Sequence, residues 1–264
     1  MAYQKFKIKM KVVILAGGLG TRLSEETNSV PKPMVEIGQI PILVHIMRHY
    51  YYYGFKDFLI LLGYRGNTIK EYFLNYPFNS KEFFIDFKHG KKELINDECE
   101  DWKVSFLDTG IDTMTGGRIK RAQEVIGDND FMLTYGDGVS DIDLRKLEEF
   151  HNNHNKAATM TSIQPKERFG IFESNEDVVT AFQEKPNETE AWINGGFFIF
   201  KKELFSLLQD DDTFLEKEPL QSLASKGQLM TYRHNGFWKC MDTLKDKLEL
   251  QSYWDSGNPP WKKW

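Results

Sequence analysis

Between Val12 and Met34 the chain reads VVILAGGLGTRLSEETNSVPKPM, and the residues able to do chemistry there are three glycines and two cations. Gly17, Gly18 and Gly20 carry no Cβ, so the backbone can bend sharply and bring its N–H groups against a ligand. N–H groups converging in such a loop form a concavity for anions, phosphate above all. Arg22 adds a fixed cation, and Lys32, held between Pro31 and Pro33, adds a second on a stiff tether. Two cations beside a glycine turn suit a nucleoside triphosphate better than a monophosphate. The loop is not a Walker A sequence, because GxxxxGK followed by Ser or Thr does not occur. Nor is it a dinucleotide fingerprint, since Leu23 stands where the third glycine should permit close helix–strand packing. An ordinary Gly-rich turn between a strand and a helix has the same residue types.

Carboxylates supply the second kind of chemistry. Asp137 lies in Tyr135-Gly136-Asp137-Gly138, just after an apolar run, with glycines on both sides to admit a ligand. Mg²⁺ is commonly bound by one or two carboxylates together with phosphates and waters, so a second acid is worth seeking. Asp242, in Cys240-Met241-Asp242-Thr243, is the candidate, although on its own its place before a helix favours an N-cap. Glu184 and Lys185, in FQEKP, read as a bare string like a solvated ion pair ahead of a turn. In Thr113-Met114-Thr115-Gly116-Gly117-Arg118, glycines precede a helix whose first N–H groups could face an anion, and Arg118 could fork onto phosphate oxygens. A capped surface helix with solvated Arg118, Lys120 and Arg121 is the plainer alternative. The histidines look structural: His45 and His49 stand four apart without the HExxH pattern, and His151 and His154 end a polar helix.

These residues need a scaffold, and apolar runs mark it. Val12–Leu15, Phe58–Leu62, Val104–Leu107, Phe131–Tyr135, Ala158–Ile163 and Ile193–Phe200 are short, buried-strand runs. Helices are predicted over 41–54, 65–75, 118–125, 143–153, 216–225 and 243–253. The alternation predicts an α/β fold with a mostly parallel central sheet flanked by helices and right-handed crossovers. Residues 76–102 read as an irregular insertion with a possible strand at 83–87. Beyond 165 the pattern shifts to short strands, and the first nine residues form a short extension or an extra edge strand. In such sheets ligands collect beyond the carboxyl ends of the strands, where both the glycine loop and Asp137 fall.

Composition narrows the partners. With 264 residues, 41% hydrophobic and 28% charged, the chain has the balance of a folded protein with a substantial core. A net charge of −5 leaves no electrostatic footprint for nucleic acid. Cys99 and Cys240 allow neither a disulfide framework nor a thiolate metal site. No run approaches a membrane span or a secretory signal, so the expected location is the cytoplasm.

GGLGTRL followed by PKPM resembles the signature of the sugar-1-phosphate nucleotidyltransferases, and the likeness extends from Met10 to Trp264. The stretches TGIDTMTGGRIKR, TYGDGVSD, FQEKP, INGGFF and FWKCMDTLKDK are similar to the branch of that family that transfers CMP from CTP to α-D-glucose 1-phosphate. The resemblance implies the Rossmann-like nucleotide-diphospho-sugar transferase fold, with a nucleotide-binding half at 10–164 and a hairpin-rich sugar-binding half at 165–264. It implies that Leu15, Ala16, Gly17, Gly18, Leu19, Gly20, Thr21, Arg22, Lys32, Thr113, Arg118 and Gly136 receive the nucleotide. Tyr135, Glu184, Lys185, Asn194 and Gly195 would hold the sugar phosphate, and Asp137 and Asp242 would bind Mg²⁺. Arg22, Lys32, Asp137, Lys185 and Asp242 would carry the reaction. It further implies a homo-oligomer, with a hexamer suggested, to which the aromatic tail from Tyr253 could contribute by packing on a neighbour. A transferase for another base or another phosphorylated acceptor, or a non-catalytic nucleotide-binding relative, has the same broad features.

Overall fold

The computed structural model describes residues 10–20, 23, 27, 30–95, 100–165, 171–175, 178–183 and 191–264, with backbone only over 171–183. Thr21, Arg22, Glu184, Lys185, Cys99 and the first nine residues therefore lie outside the described residues. In chain order the elements are β1 (Lys11–Ala16), a 3-10 turn (Lys32–Met34), β2 (Glu36–Ile37), β3 (Ile40–Pro41), α1 (Ile42–Tyr52), β4 (Asp57–Leu62), α2 (Gly66–Leu74) and α3 (Tyr76–Ser80). A hairpin of β5 (Phe83–Asp86) and β6 (Lys91–Leu94) leads to β7 (Lys103–Asp108), α4 (Thr115–Arg121), α5 (Gln123–Ile126), β8 (Phe131–Tyr135) and β9 (Gly138–Ser140). Then come α6 (Leu144–Asn153), β10 (Ala158–Ile163), β11 (Ile171–Asn175), β12 (Val178–Gln183), β13 (Ile193–Phe200), α7 (Glu218–Ser225), β14 (Leu229–His234), β15 (Trp238–Cys240) and α8 (Leu244–Asp255).

Seven strands form one sheet in the order β14-β10-β13-β8-β1-β4-β7. All neighbours are parallel except β13, which runs antiparallel between β10 and β8. The sheet therefore draws strands from both sides of position 165. β1 lies centrally, so its continuous apolar run serves two cores at once, because successive side chains point to opposite faces. Val12, Ile14 and Ala16 join the cluster under α1 and α8, whereas Val13 and Leu15 join the one beneath α4 and α7. The first helix, expected over 41–54, turns Ile42, Leu43, Ile46, Met47 and Tyr50 inward, and all are buried.

The insertion carries the strand expected near 83–87 as β5, and both it and the aromatic tail are anchored to the fold. The insertion at 76–102 is tied down at its base, where Glu100 Oε1 accepts from Arg48 Nε at 3.1 Å and from the Tyr76 hydroxyl at 3.1 Å. The aromatic tail packs on its own chain: Trp261 is buried in the core, and its indole N–H donates to His45 Nδ1 at 3.3 Å.

His45, His49 and His151 are enclosed by this packing, and burial pushes each down to about 4. An unfolded histidine titrates near 6.5, so below that pH the unfolded chain takes up protons that the folded chain refuses. Stability is therefore complete above about pH 6.5 and falls as pH drops toward 4, by up to about 1.4 kcal/mol per pH unit for each histidine. Urea midpoints at pH 7.5, 6 and 5 check this; a midpoint constant over that interval would contradict it.

Candidate functional site

β1 and β8 end side by side, with Leu15 paired to Tyr135. Their carboxyl ends open on a cleft of about 330 Å³ lined by Leu15, Ala16, Gly17, Gly18 and Gly20 on one side and by Tyr135, Gly136 and Asp137 on the other. The glycine turn is held from beneath: the Gly17 carbonyl accepts from the Tyr64 N–H at 3.1 Å and from Arg118 Nη2 at 3.0 Å. A Cβ at Gly17 would stand 2.2 Å from Arg118 Nη1, so a glycine is required there by close approach. Gly20 adopts φ +67°, a conformation that favours glycine. The N–H groups of Gly18 and Leu19 find no acceptor among the described residues, which suits an anion cradle. Leu19 is exposed at the rim.

Opposite the loop, β9 pairs antiparallel with β15, setting Gly138 against Cys240. The Met241 N–H donates to the Asp137 carbonyl at 2.9 Å. This three-residue ladder brings together two acids that are remote in the chain. Lys32, 9% exposed on the 3-10 turn, donates to Asp137 Oδ2 at 2.6 Å and to Asp242 Oδ1 at 2.7 Å. Burial works against its charge, but the two carboxylates outweigh burial and hold the ammonium above the usual lysine range. The alternative of Asp242 as an N-cap is resolved by its neighbour. Thr243 caps α8, accepting from the Asp246 N–H at 3.2 Å while Asp246 Oδ2 accepts from the Thr243 N–H at 2.9 Å.

A cation between two aspartates is also a test of metal fit. Two hard oxygen donors that already converge on one positive charge are a set Mg²⁺ can use when phosphates and waters complete it. Among the described residues no group of three or more His, Cys, Asp and Glu forms a competing metal cluster.

The stretch around Arg118 departs from expectation. α4 begins at Thr115, and its first N–H groups do not face the cleft: Met114 N donates to Asp211 O at 2.7 Å, and Gly116 N to Thr213 O at 2.9 Å. The two glycines are there for packing, since a Cβ at Gly117 would lie 2.6 Å from Asp211 Cα. The earlier start carries Arg118 inward, to 4% exposure, where it is neither a solvated surface residue nor a fork open to phosphate. Its Nη1 donates to Leu62 O, Thr109 Oγ1 and Gly110 O at 3.0, 2.7 and 2.7 Å. Both Thr113 and Arg118 nevertheless line the cleft, with Met114, Thr115 and Phe214 beside them.

Tyr135 and Asn194 meet on the remaining wall, Asn194 Nδ2 donating to the Tyr135 hydroxyl at 3.3 Å. Gly195 is fixed by its carbonyl, which accepts from Trp238 Nε1 at 2.7 Å. Phe214 also lines the cleft, and no local sequence signal marks it, because it sits in a polar loop before α7.

Comparison with known proteins matches the Nucleotidyl transferase family over residues 11–255. The glucose-1-phosphate cytidylyltransferase of Salmonella typhimurium is 49% identical over 97% of this chain and all of its own length. A probable glucose-1-phosphate cytidylyltransferase of Bacillus subtilis is 45% identical over the same shares. Among solved structures, a putative glucose-1-phosphate thymidylyltransferase from Bacillus anthracis superposes with a TM-score of 0.69 at 17% identity, covering 92% of this chain and 94% of that one. That likeness is one of fold.

Proposed function

The chain belongs to the nucleotidyl transferase family and is a nucleotidyltransferase, and on that premise we propose that it transfers CMP from CTP to α-D-glucose 1-phosphate, releasing pyrophosphate and leaving CDP-glucose. The observation that carries the proposal is the convergence of Lys32, Asp137 and Asp242 across the cleft from the glycine turn. The names of the full-length relatives support the choice of base and sugar.

The chemistry asks little proton transfer of the protein. A phosphate monoester has its second pKa near about 6, so the attacking oxygen of glucose 1-phosphate is already ionised at neutral pH. Catalysis then consists of aligning two anions that repel each other and stabilising charge as pyrophosphate departs. In the proposal the glycine turn receives the nucleotide, and Lys32, with Arg22, offers positive charge to its phosphates. Tyr135, Glu184, Asn194 and Gly195 hold the sugar, and Lys185 orients its phosphate. Nucleotidyltransferases of this family generally use a divalent metal, and Asp137 and Asp242 would hold it, as Mg²⁺ here. When bound it supplies neutralising charge between the two phosphates.

The test is pyrophosphate release with CTP, UTP, dTTP or GTP, each with glucose 1-phosphate. CTP is expected to exceed the others by more than about tenfold, since a site built to bond one base leaves its polar groups unpaired with another. Equal rates with UTP or dTTP would sink the base assignment, and CTP binding without turnover would mark a nucleotide-binding relative. The proposal extends to a cytoplasmic homo-oligomer, which light scattering on the purified protein checks. In the described residues no helix is long and apolar enough to cross a membrane.

A further inference from the structure

We infer that Glu216 is a positioning residue that couples the nucleotide side of the cleft to its sugar-phosphate side, an inference that rests on the assignment of those two sides proposed above. Its carboxylate bridges the walls: Oε2 accepts from the Thr115 hydroxyl at 2.7 Å, and Oε1 accepts from the Tyr135 hydroxyl at 2.6 Å. Thr115 is the first residue of α4, the helix whose Arg118 grips the Gly17 carbonyl under the glycine turn. Its hydroxyl oxygen also accepts from the Leu215 N–H at 3.0 Å, which fixes the loop that carries Glu216.

On the other wall each capacity of the Tyr135 hydroxyl is used, its proton going to Glu216 and its lone pair receiving Asn194 Nδ2. The ring beneath is boxed in, because Gly196 adopts φ +79° and a Cβ there would stand 2.7 Å from Tyr135 Cδ2. Asn194 is fixed in turn, its Oδ1 accepting from the Gly196 N–H at 2.8 Å. Glu216 is itself exposed, so no core depends on it. Among the described residues no lysine or arginine pairs with it, and Lys217 instead lies 4.1 Å over the Phe214 ring. An exposed carboxylate spending one oxygen on each of two hydroxyls, one from α4 and one from β8, is better explained by the cleft than by the fold. Ligand on either side that shifts Thr115 or Tyr135 must act on the other through this carboxylate.

The experiment measures glucose 1-phosphate binding by calorimetry, with and without saturating α,β-methylene-CTP, a nucleotide that cannot release pyrophosphate. The nucleotide analogue is expected to tighten sugar-phosphate binding by about tenfold in the wild type, an ordinary size for coupling between sites. In Glu216→Gln each ligand alone should bind within about twofold of wild type while the mutual tightening falls to about one, as coupling is a property of the pair. Tyr135→Phe should lose the same coupling, and the double variant should lose no more than either single one. A retained tightening in Glu216→Gln, or losses that multiply in the double variant, would overturn the inference while leaving the function intact. A wild type that binds the analogue but never glucose 1-phosphate would overturn both.

Discussion

Lys32→Ala is expected to lower kcat for pyrophosphate release by about a hundred- to a thousandfold, the range seen when one group aimed at developing transition-state charge is removed. The ammonium is not a surface charge. It is held on a 3-10 turn between prolines, 2.6 Å from Asp137 and 2.7 Å from Asp242, at the edge of the cleft that the glycine turn completes. Removing it takes positive charge from the place where two anionic substrates must meet, and leaves two carboxylates facing each other without it. The fold should tolerate the change. Asp137 and Asp242 retain partial exposure, so water can enter, and the loss should stay below the roughly 3–5 kcal/mol of a fully buried pair. Against a total stability of about 5–15 kcal/mol the variant should be folded at 25 °C. Lys32→Arg should rescue poorly, because a planar fork does not replace a compact ammonium between two acids. Steady-state kinetics and a thermal melt on the same preparations decide it. Near-wild-type kcat in Lys32→Ala would remove the central group of the proposed site.

How far the sequence reached depended on the range of the interaction involved. The central strands β1, β4 and β8 were legible because each is an apolar run whose burial is a property of the run itself. The glycine turn was legible because only glycine tolerates what Gly17 and Gly20 must do. The pairing of Asp137 with Asp242 depends on the β9–β15 ladder, and three-residue strands carry no period to read. That Asp242 is not the cap of α8 was decidable in principle: Thr243 and Asp246 have the spacing of a capping box, which assigns the cap to Thr243. The carbonyl clamp of Arg118 was not legible because α4 is only seven residues long, too short for a hydrophobic stripe to show which side of it faces inward. Glu216 was invisible for another reason. Its two hydroxyl donors lie 101 and 81 residues away, and no local pattern encodes that meeting.

Arg118→Ala should be the most destabilising substitution in the cleft, by about 3–5 kcal/mol, and should abolish the stabilisation expected of the proposed substrate CTP. Five contacts end on this one guanidinium. Besides Leu62 O, Thr109 Oγ1 and Gly110 O, its Nη2 donates to Gly17 O at 3.0 Å and Ile111 O at 3.2 Å. It thus ties the end of β4, the loop after β7 and the glycine turn to one helix. Truncation would orphan buried carbonyls at about 1–3 kcal/mol each where water cannot replace the donor. Burial and the neighbouring Arg121 pull the pKa of Arg118 below the usual arginine range. A lysine would not serve in its place: Arg118→Lys offers three donors on one nitrogen and cannot span acceptors on separate segments. The converse substitution reads the same clamp from the other side. A Cβ at Gly17 or Gly63 would lie 2.2 or 2.5 Å from Arg118 Nη1, so Gly17→Ala should displace the guanidinium and lose CTP stabilisation as well. Urea melts with and without CTP measure both effects. If Arg118→Lys melts at the wild-type midpoint and still gains stability from CTP, the carbonyl clamp does not hold the turn.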